Sequence, residues 1–229
     1  MSSYHYFGNK GERIPDDVEE LVVHPLIHEI PAHACSNFEQ LSRVHFNGTS
    51  LRAIEECAFD GCVSLLEIEI PPSVAVIGDS AFMECEALTR VRFHEDGLLT
   101  TIGNWAFQKC SSLAEVSILC SVETIQKGTF SYCELLARVF FQEGLKTIDR
   151  DVFASCVQLE TVDIPRSLEL LGSGAFYRCT SLQEVNFDEE NLRVIGKHAF
   201  MQCFKSCKQS TFLPLLSVLN RTHSATAIL

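Results

Sequence analysis

The sequence predicts a repeat solenoid: about eight stacked coils of 23–25 residues, each giving one short strand to a parallel β-sheet along one face. Three observations carry this. A phenylalanine recurs at Phe59, Phe82, Phe107, Phe130, Phe153, Phe176 and Phe200, at intervals of 23, 25, 23, 23, 23 and 24 residues. Three positions after each comes a cysteine, Cys62, Cys85, Cys110, Cys133, Cys156, Cys179 or Cys203, so seven of the eleven cysteines hold one place in the repeat. Downstream of each cysteine the chain alternates apolar and polar residues, as in Leu88-Thr-Arg-Val-Arg-Phe93, the period of a half-buried strand.

Residues 1–17 precede the register and are read as an N-terminal cap segment. Val18, Leu21 and Val23 then match the strand portion alone. Ile30, Ala34, Cys35, Phe38, Leu41, Val44 and Phe46 fill a complete unit in which Phe and Cys have exchanged places, roughly conserving volume. From there the unit repeats through residue 203. Five residues before each column phenylalanine lies Ile54, Ile77, Ile102, Ile125, Ile148, Leu171 or Ile195, and six units carry Leu65, Leu88, Leu113, Leu136, Leu159 and Leu182 followed by Ile68, Val91, Val116, Val139, Val162 and Val185. The segment IGDSAF and its equivalents form the returning side of each coil, with Gly78, Gly103, Gly172 and Gly196 expected at a tight turn. Pro71-Pro72, Pro165 and the stretches HEDG and QEG mark the corner after the strand. Residues 204–229 are read as a degenerate final repeat or C-terminal cap: with one residue inserted after Cys203, Cys207, Ser210, Phe212, Leu216 and Leu219 still fall on repeat slots. A divergent cap and the end of a truncated or frame-shifted array fit that remainder equally.

A period of about 20–29 residues with an L-x-x-L-x-L core is the signature of leucine-rich repeats, whose single unit cannot bury its apolar side while a stack can. The fuller unit, L-x-x-I-x-x-x-A-F-x-x-C-x-x-L-x-x-V-x-I-P, resembles the BspA-type leucine-rich repeat, named for bacterial surface antigens and abundant in microbial eukaryotes. The resemblance covers residues 18–203. It implies a curved right-handed coil used for protein binding or adhesion, and it implies no enzymatic activity.

Composition narrows the function classes. A net charge of −12 disfavours adhesion to nucleic acid and to anionic membrane surfaces. The N-terminus MSSYHYFGNKGERIP lacks the apolar run of about 7–15 residues of a secretory h-region. The longest apolar run, Phe212–Leu219, is interrupted by Pro214 and falls far short of the roughly 20 residues that cross a bilayer. The expectation is an intracellular chain with no membrane insertion and with reduced thiols.

Chemical motifs are scarce. No C-x-x-C occurs, and a column of cysteines about 4.8 Å apart is a line, whereas zinc needs ligands converging at about 2.3 Å. The cysteines are read as core, with a redox or metal sensor as the alternative from another class. His24, His28 and His33 lack a metal-ligand spacing. Gly172-Ser-Gly174 lacks the frame of a nucleophile elbow, and no phosphate-binding glycine motif occurs. Asn47-Gly-Thr49 and Asn220-Arg-Thr222 fit the glycosylation pattern, which matters only in a secreted chain. No catalytic residue, metal or cofactor is assigned.

Function is therefore sought where the repeat does not dictate the residue. Two positions flank the inward residue of each strand and point outward. The first reads Arg43, Glu67, Arg90, Glu115, Arg138, Thr161, Glu184, and the second His45, Glu69, Arg92, Ser117, Phe140, Asp163, Asn186. The alternating signs of the first row fit a stacking ladder worth about 0.2–1 kcal/mol per pair. Aromatics and arginines are enriched at binding hot spots. The expected partner surface is accordingly Arg90, Arg92, Arg138, Phe140, Asp163 and Glu184, taking a protein or peptide in a non-catalytic interaction scaffold. A cell-surface adhesin is the alternative within binding. Neither the partner's identity nor the oligomeric state is encoded in a repeat pattern.

Overall fold

The computed structural model describes residues 2–48, 50–187 and 191–203. Within them the chain forms β1 (Ser3–Tyr6), β2 (Glu20–Val23), β3 (Glu29–Ile30), β4 (Arg43–Phe46), β5 (Ala53–Ile54), β6 (Glu67–Ile70), β7 (Val76–Ile77), β8 (Arg90–Phe93) and β9 (Thr101–Ile102). It continues with β10 (Glu115–Ile118), β11 (Thr124–Ile125), β12 (Arg138–Phe141), β13 (Thr147–Ile148), β14 (Thr161–Asp163), β15 (Leu170–Leu171), β16 (Glu184–Asn186) and β17 (Val194–Ile195). All pairing is parallel and joins one coil to the next, with Val116 opposite Val139 and Ile125 opposite Ile148. The chain is a parallel β-solenoid, as the periodicity predicts. No helix among the described residues is long and apolar enough to cross a membrane.

Each coil contributes to two sheets rather than one. The longer strands form a three-stranded sheet, β1-β2-β4, and a six-stranded sheet from β6 to β16, while the two-residue strands form an eight-stranded sheet from β3 to β17. The second sheet is built on the Ile column, whose side chains from Ile30 to Ile148 are fully buried. The N-terminal segment supplies a strand of its own: β1 pairs in register with β2, and Tyr6 is buried against the first coil.

The third stretch of each coil carries the Phe and Cys columns. Phe59, Phe82, Phe107, Phe130, Phe153 and Phe176 have no exposed surface. Their rings stack nearly parallel, with centroids 5.2 Å apart between Phe82 and Phe107 and 5.6 Å apart between Phe130 and Phe153. Here every second N–H points along the stack, and left-handed residues flank the column Phe. The amides of Ser80, Phe82 and Glu84 donate to the carbonyls of Asn104, Ala106 and Gln108 in the next coil. Two left-handed residues per coil are required, two before and two after the column Phe, as at Trp105 (φ 55°) and Lys109 (φ 59°). Most of these positions are not glycine, although a side chain there costs roughly 1–2 kcal/mol. The ladder and the burial it permits offset that cost.

This geometry corrects the role expected for Gly78, Gly103, Gly172 and Gly196. None of the four has a positive φ. They are instead places where neighbouring coils touch: a Cβ on Gly172 would lie 2.4 Å from the carbonyl carbon of Asp149 and 2.5 Å from the amide nitrogen of Arg150. Close approach, not turn conformation, selects glycine there.

The column thiols have a second reason to be cysteine. Each Sγ–H donates to the backbone carbonyl of the column residue one coil earlier, Cys85 to Phe59 at 3.2 Å and Cys110 to Phe82 at 3.2 Å. Cys62 donates to Cys35, which confirms that Cys35 occupies a phenylalanine slot and Phe38 a cysteine slot. Residues 204–229, and with them the expected degenerate repeat or cap, lie outside the described residues.

Candidate functional site

The six residues singled out from the sequence all lie on strands of the six-stranded sheet, and all face outward from the core. Arg90 and Arg92 sit on β8, Arg138 and Phe140 on β12, Asp163 on β14 and Glu184 on β16. Each alternates with a buried neighbour, Val91, Val139, Val162 or Val185. Phe140 is 51% exposed, which for an aromatic on an open sheet face leaves half of its apolar surface in water.

The structure sorts these residues by what already holds them. Arg138 Nη2 lies 2.6 Å from Glu115 Oε2, so its charge is compensated within the ladder. Asp163 accepts a hydrogen bond from Asn186 Nδ2 at 2.9 Å. Glu184 stands at the far end, two strands from Phe140. Arg90 and Arg92 differ: neither forms an ion pair with a described residue. Glu69, the nearest carboxylate candidate for Arg92, lies instead 3.1 Å from His94 Nε2. The alternating-sign ladder expected of the first outward row is thus realised as an ion pair at Glu115–Arg138, while Arg90 is left open between Glu67 and Glu115.

The sheet is also weakest around these arginines. No ladder joins β4 to β6, and β8 meets β10 only at Arg90 opposite Glu115. The cause is the length of the corner that follows each strand. From Phe46 to Ile54 is 8 residues and from Phe93 to Ile102 is 9, against 7 from Ile70 to Ile77 and from Ile118 to Ile125. The extra residues follow β4 and β8, the strands that splay from their next neighbours. Over the first break lies a recess of about 350 Å³, bordered by Arg43, His45, Glu67, Glu69, Arg90 and Arg92.

One signal was present in the sequence and missed there. The last inward position of the strands alternates between an aliphatic residue and phenylalanine: Val23, Phe46, Ile70, Phe93, Ile118, Phe141, Ile164, Phe187. The aliphatic ones are buried, and the four phenylalanines are only partly so. Arg43, Arg90 and Arg138 fall on Phe coils, and Glu20, Glu67 and Glu115 on aliphatic coils. The repeat therefore has a two-coil period, found by comparing every second unit rather than adjacent ones. In the first outward row Arg43, Arg90 and Arg138 follow this period, which lapses at Glu184 on the Phe187 coil.

The other candidate chemistry does not assemble. His24 packs against Phe7 with ring centroids 5.2 Å apart, His28 Nδ1 lies 3.2 Å from the Ser50 carbonyl, and His33 is a left-handed residue of the returning turn. Among the described residues no group of three or more His, Cys, Asp or Glu side chains is placed to hold a metal ion. Burial pushes the Cys62 thiol up to about 12, and it pushes Cys85, Cys110, Cys156 and Cys179 well above the ordinary cysteine range. Such thiols stay protonated near neutral pH, and the thiolate is the nucleophile and metal ligand. Cys120, outside the column, is exposed, and Cys57 is partly so.

Parallel coils stacked on interior Phe, Cys and Ile columns, with a strand face left free to vary, define a leucine-rich-repeat solenoid. The chain belongs to the BspA type leucine rich repeat family, whose repeat matches residues 28–159 and 100–221 in 6 copies. Among solved structures it is similar to a leucine-rich repeat protein from Bacteroides ovatus, with 30% identity and a TM-score of 0.64 over 81% of this chain and 53% of that one. It is also similar to a leucine rich repeat protein of T. pallidum, with 26% identity and a TM-score of 0.58 over 69% of this chain and 72% of that one. A leucine-rich repeat protein from Eubacterium ventriosum, at 16% identity and a TM-score of 0.54 over 82% of this chain and 59% of that one, shares the fold. The chain spans about half the length of the Bacteroides ovatus protein. No curated protein matches the sequence.

Proposed function

We propose that the chain is a non-catalytic interaction scaffold that binds a protein or peptide through the outward face of the six-stranded sheet, with Phe140, Arg90 and Arg92 as its principal contacts. The observation that carries this reading is Phe140, 51% exposed on an open sheet face two strands from Arg90 and Arg92, whose charges have no described ion-pair partner. An unpaired arginine and a half-exposed aromatic gain the most from being covered, because both lose water contact and gain a partner at once. Arg138, whose charge Glu115 compensates, forms the rim with Asp163 and Glu184, where charges steer encounter more than they hold the complex.

The experiment is affinity capture with the whole chain as bait, comparing the native sequence with Phe140→Ala and Arg92→Glu. Both substitutions lie on the solvent side and leave the interior columns intact. Either should reduce recovery of specific partners several-fold at unchanged thermal stability. Equal recovery by all three baits would remove the binding site from this face.

A further inference from the structure

The chemistry of the partner can be taken a step further, resting on the reading that the sheet face binds. The protein carries 30 acidic residues against 18 basic ones, so most of its surface repels an acidic ligand. Beside the first sheet break two cations stand without an ion pair to a described residue. Arg43, Arg90 and Arg92 border the recess there with Glu67 and Glu69; Arg43 is already engaged, whereas Arg90 and Arg92 are not. Glu69 Oε1 lies 3.1 Å from His94 Nε2 and Glu20 Oε1 2.7 Å from His45 Nε2, and neither Glu67 nor Glu69, opposite Arg90 and Arg92 on the neighbouring strand, forms an ion pair with them. On the β12 side the same logic runs in reverse: Glu115 is consumed by Arg138, so the path from Arg90 to Phe140 crosses no free carboxylate.

Spacing then fixes the form of the ligand. Strands lie about 4.8 Å apart, so β8 and β12, two strands apart, are separated by roughly 10 Å or slightly more. An extended segment advances about 3.4 Å per residue and covers that distance in three residues. The interrupted ladders on both sides of the β6–β8 pair let Arg90 and Arg92 adjust to a ligand without breaking a continuous sheet.

We infer that the partner presents an extended acidic segment in which an aromatic or large aliphatic residue, seated against Phe140, is followed three positions later by a carboxylate held by Arg90 and Arg92. Arg90 and Arg92 accept the acidic end, and the exposed Phe140 accepts the apolar one.

The test is fluorescence anisotropy on the full chain with a labelled twelve-residue Gly/Ser peptide carrying Trp-Ser-Gly-Asp-Asp. A second peptide has Lys-Lys in place of Asp-Asp, and a third places the acidic pair directly after Trp. The native chain should bind the first at least about tenfold more tightly than the other two, a preference that added salt weakens. Arg90→Glu with Arg92→Glu should reverse the preference toward the Lys-Lys peptide, and Arg90→Gln with Arg92→Gln should abolish it, which guards against a folding defect in the double reversal. Equal binding of the acidic and basic peptides by the native chain, or an unchanged preference in both double variants, overturns the inference. If Phe140→Ala still loses partners from affinity capture while these peptides do not discriminate, the face is a binding site and the acidic ligand class is wrong. If Phe140→Ala changes neither assay, the face itself is wrong.

Discussion

Phe130→Ala should destabilise the protein by about 3–5 kcal/mol, the range for removing a fully buried aromatic ring from a packed core. Phe130 has no exposed surface and lies between Phe107 and Phe153 at centroid distances of 5.5 and 5.6 Å. Its loss would remove two stacking partners at once. In a solenoid the effect is not confined to one site, because stability is a sum over coils and the interfaces between neighbours. A gap at Phe130 weakens the coupling between the coils before it and the coils after it. Chemical denaturation followed by circular dichroism should therefore show an earlier midpoint and a shallower or two-step transition, since the halves no longer unfold together. Phe140→Ala, ten residues later but half exposed, is the matched control and should move stability by no more than about 0.5 kcal/mol. A loss below about 1 kcal/mol for Phe130→Ala would mean that the column is not the core of the stack.

The second large effect is alkaline unfolding. Burial raises the pKa of Cys35, Cys62, Cys85, Cys110, Cys133, Cys156 and Cys179 above the ordinary value of 9.0. Because the folded state holds these protons more tightly than the unfolded chain, the stabilisation is complete below pH 9 and declines as pH rises toward the folded-state values, about 12 for Cys62. Each thiol contributes a slope of about 1.4 kcal/mol per pH unit in that window. The seven together approach about 10 kcal/mol per unit, comparable with the whole stability of a typical domain. Urea midpoints measured from pH 7 to 11 should be nearly flat to pH 9 and should then collapse within about one or two units. Cys110→Ala, which removes one buried thiol, should lower the midpoint at pH 7 and also reduce the slope above pH 9. A midpoint that holds through pH 11 would show that the thiols are not buried as protonated donors.

What could be read from the sequence, and what could not, follows from how the repeat imposes its constraints. The interior columns were legible because each coil presents the same space to the same slot; Phe82, Cys85 and Leu88 recur for one reason repeated eight times over. The exchange at Cys35 and Phe38 was legible too, since volume is conserved across the pair. The second sheet was not, because two-residue strands such as Thr147–Ile148 are too short to show alternation. The left-handed positions were hidden because residues as different as Glu84, Lys109, Tyr132 and Arg178 occupy them, and no side-chain type announces the conformation. Gly78 and Gly172 were correctly singled out but for the wrong cause, as sequence alone cannot separate a turn from a close approach.

On the proposed binding face, the outward direction of Arg90, Arg92 and Phe140 followed from strand periodicity alone. Which arginine is already paired did not, since Glu115 flanks both Arg90 and Arg138 and only the side-chain arrangement shows that it has taken Arg138. The breaks beside β4 and β8 depend on one or two extra residues in a corner, visible as an irregular interval in the sequence but without direction until the strands are placed. The alternation of Phe93 and Phe141 with Ile118 was visible and overlooked, because both residue types satisfy the same apolar slot.

What repeats is packed inside the stack, and what varies is proposed to meet the partner. Thiol accessibility tests it most directly. Under native conditions at neutral pH, Cys120 should label rapidly and Cys57 more slowly, while Cys35 and the seven column cysteines should react only on unfolding. Rapid native labelling of the column, accompanied by altered partner capture, would contradict the account and make the cysteines a reactive site rather than the core.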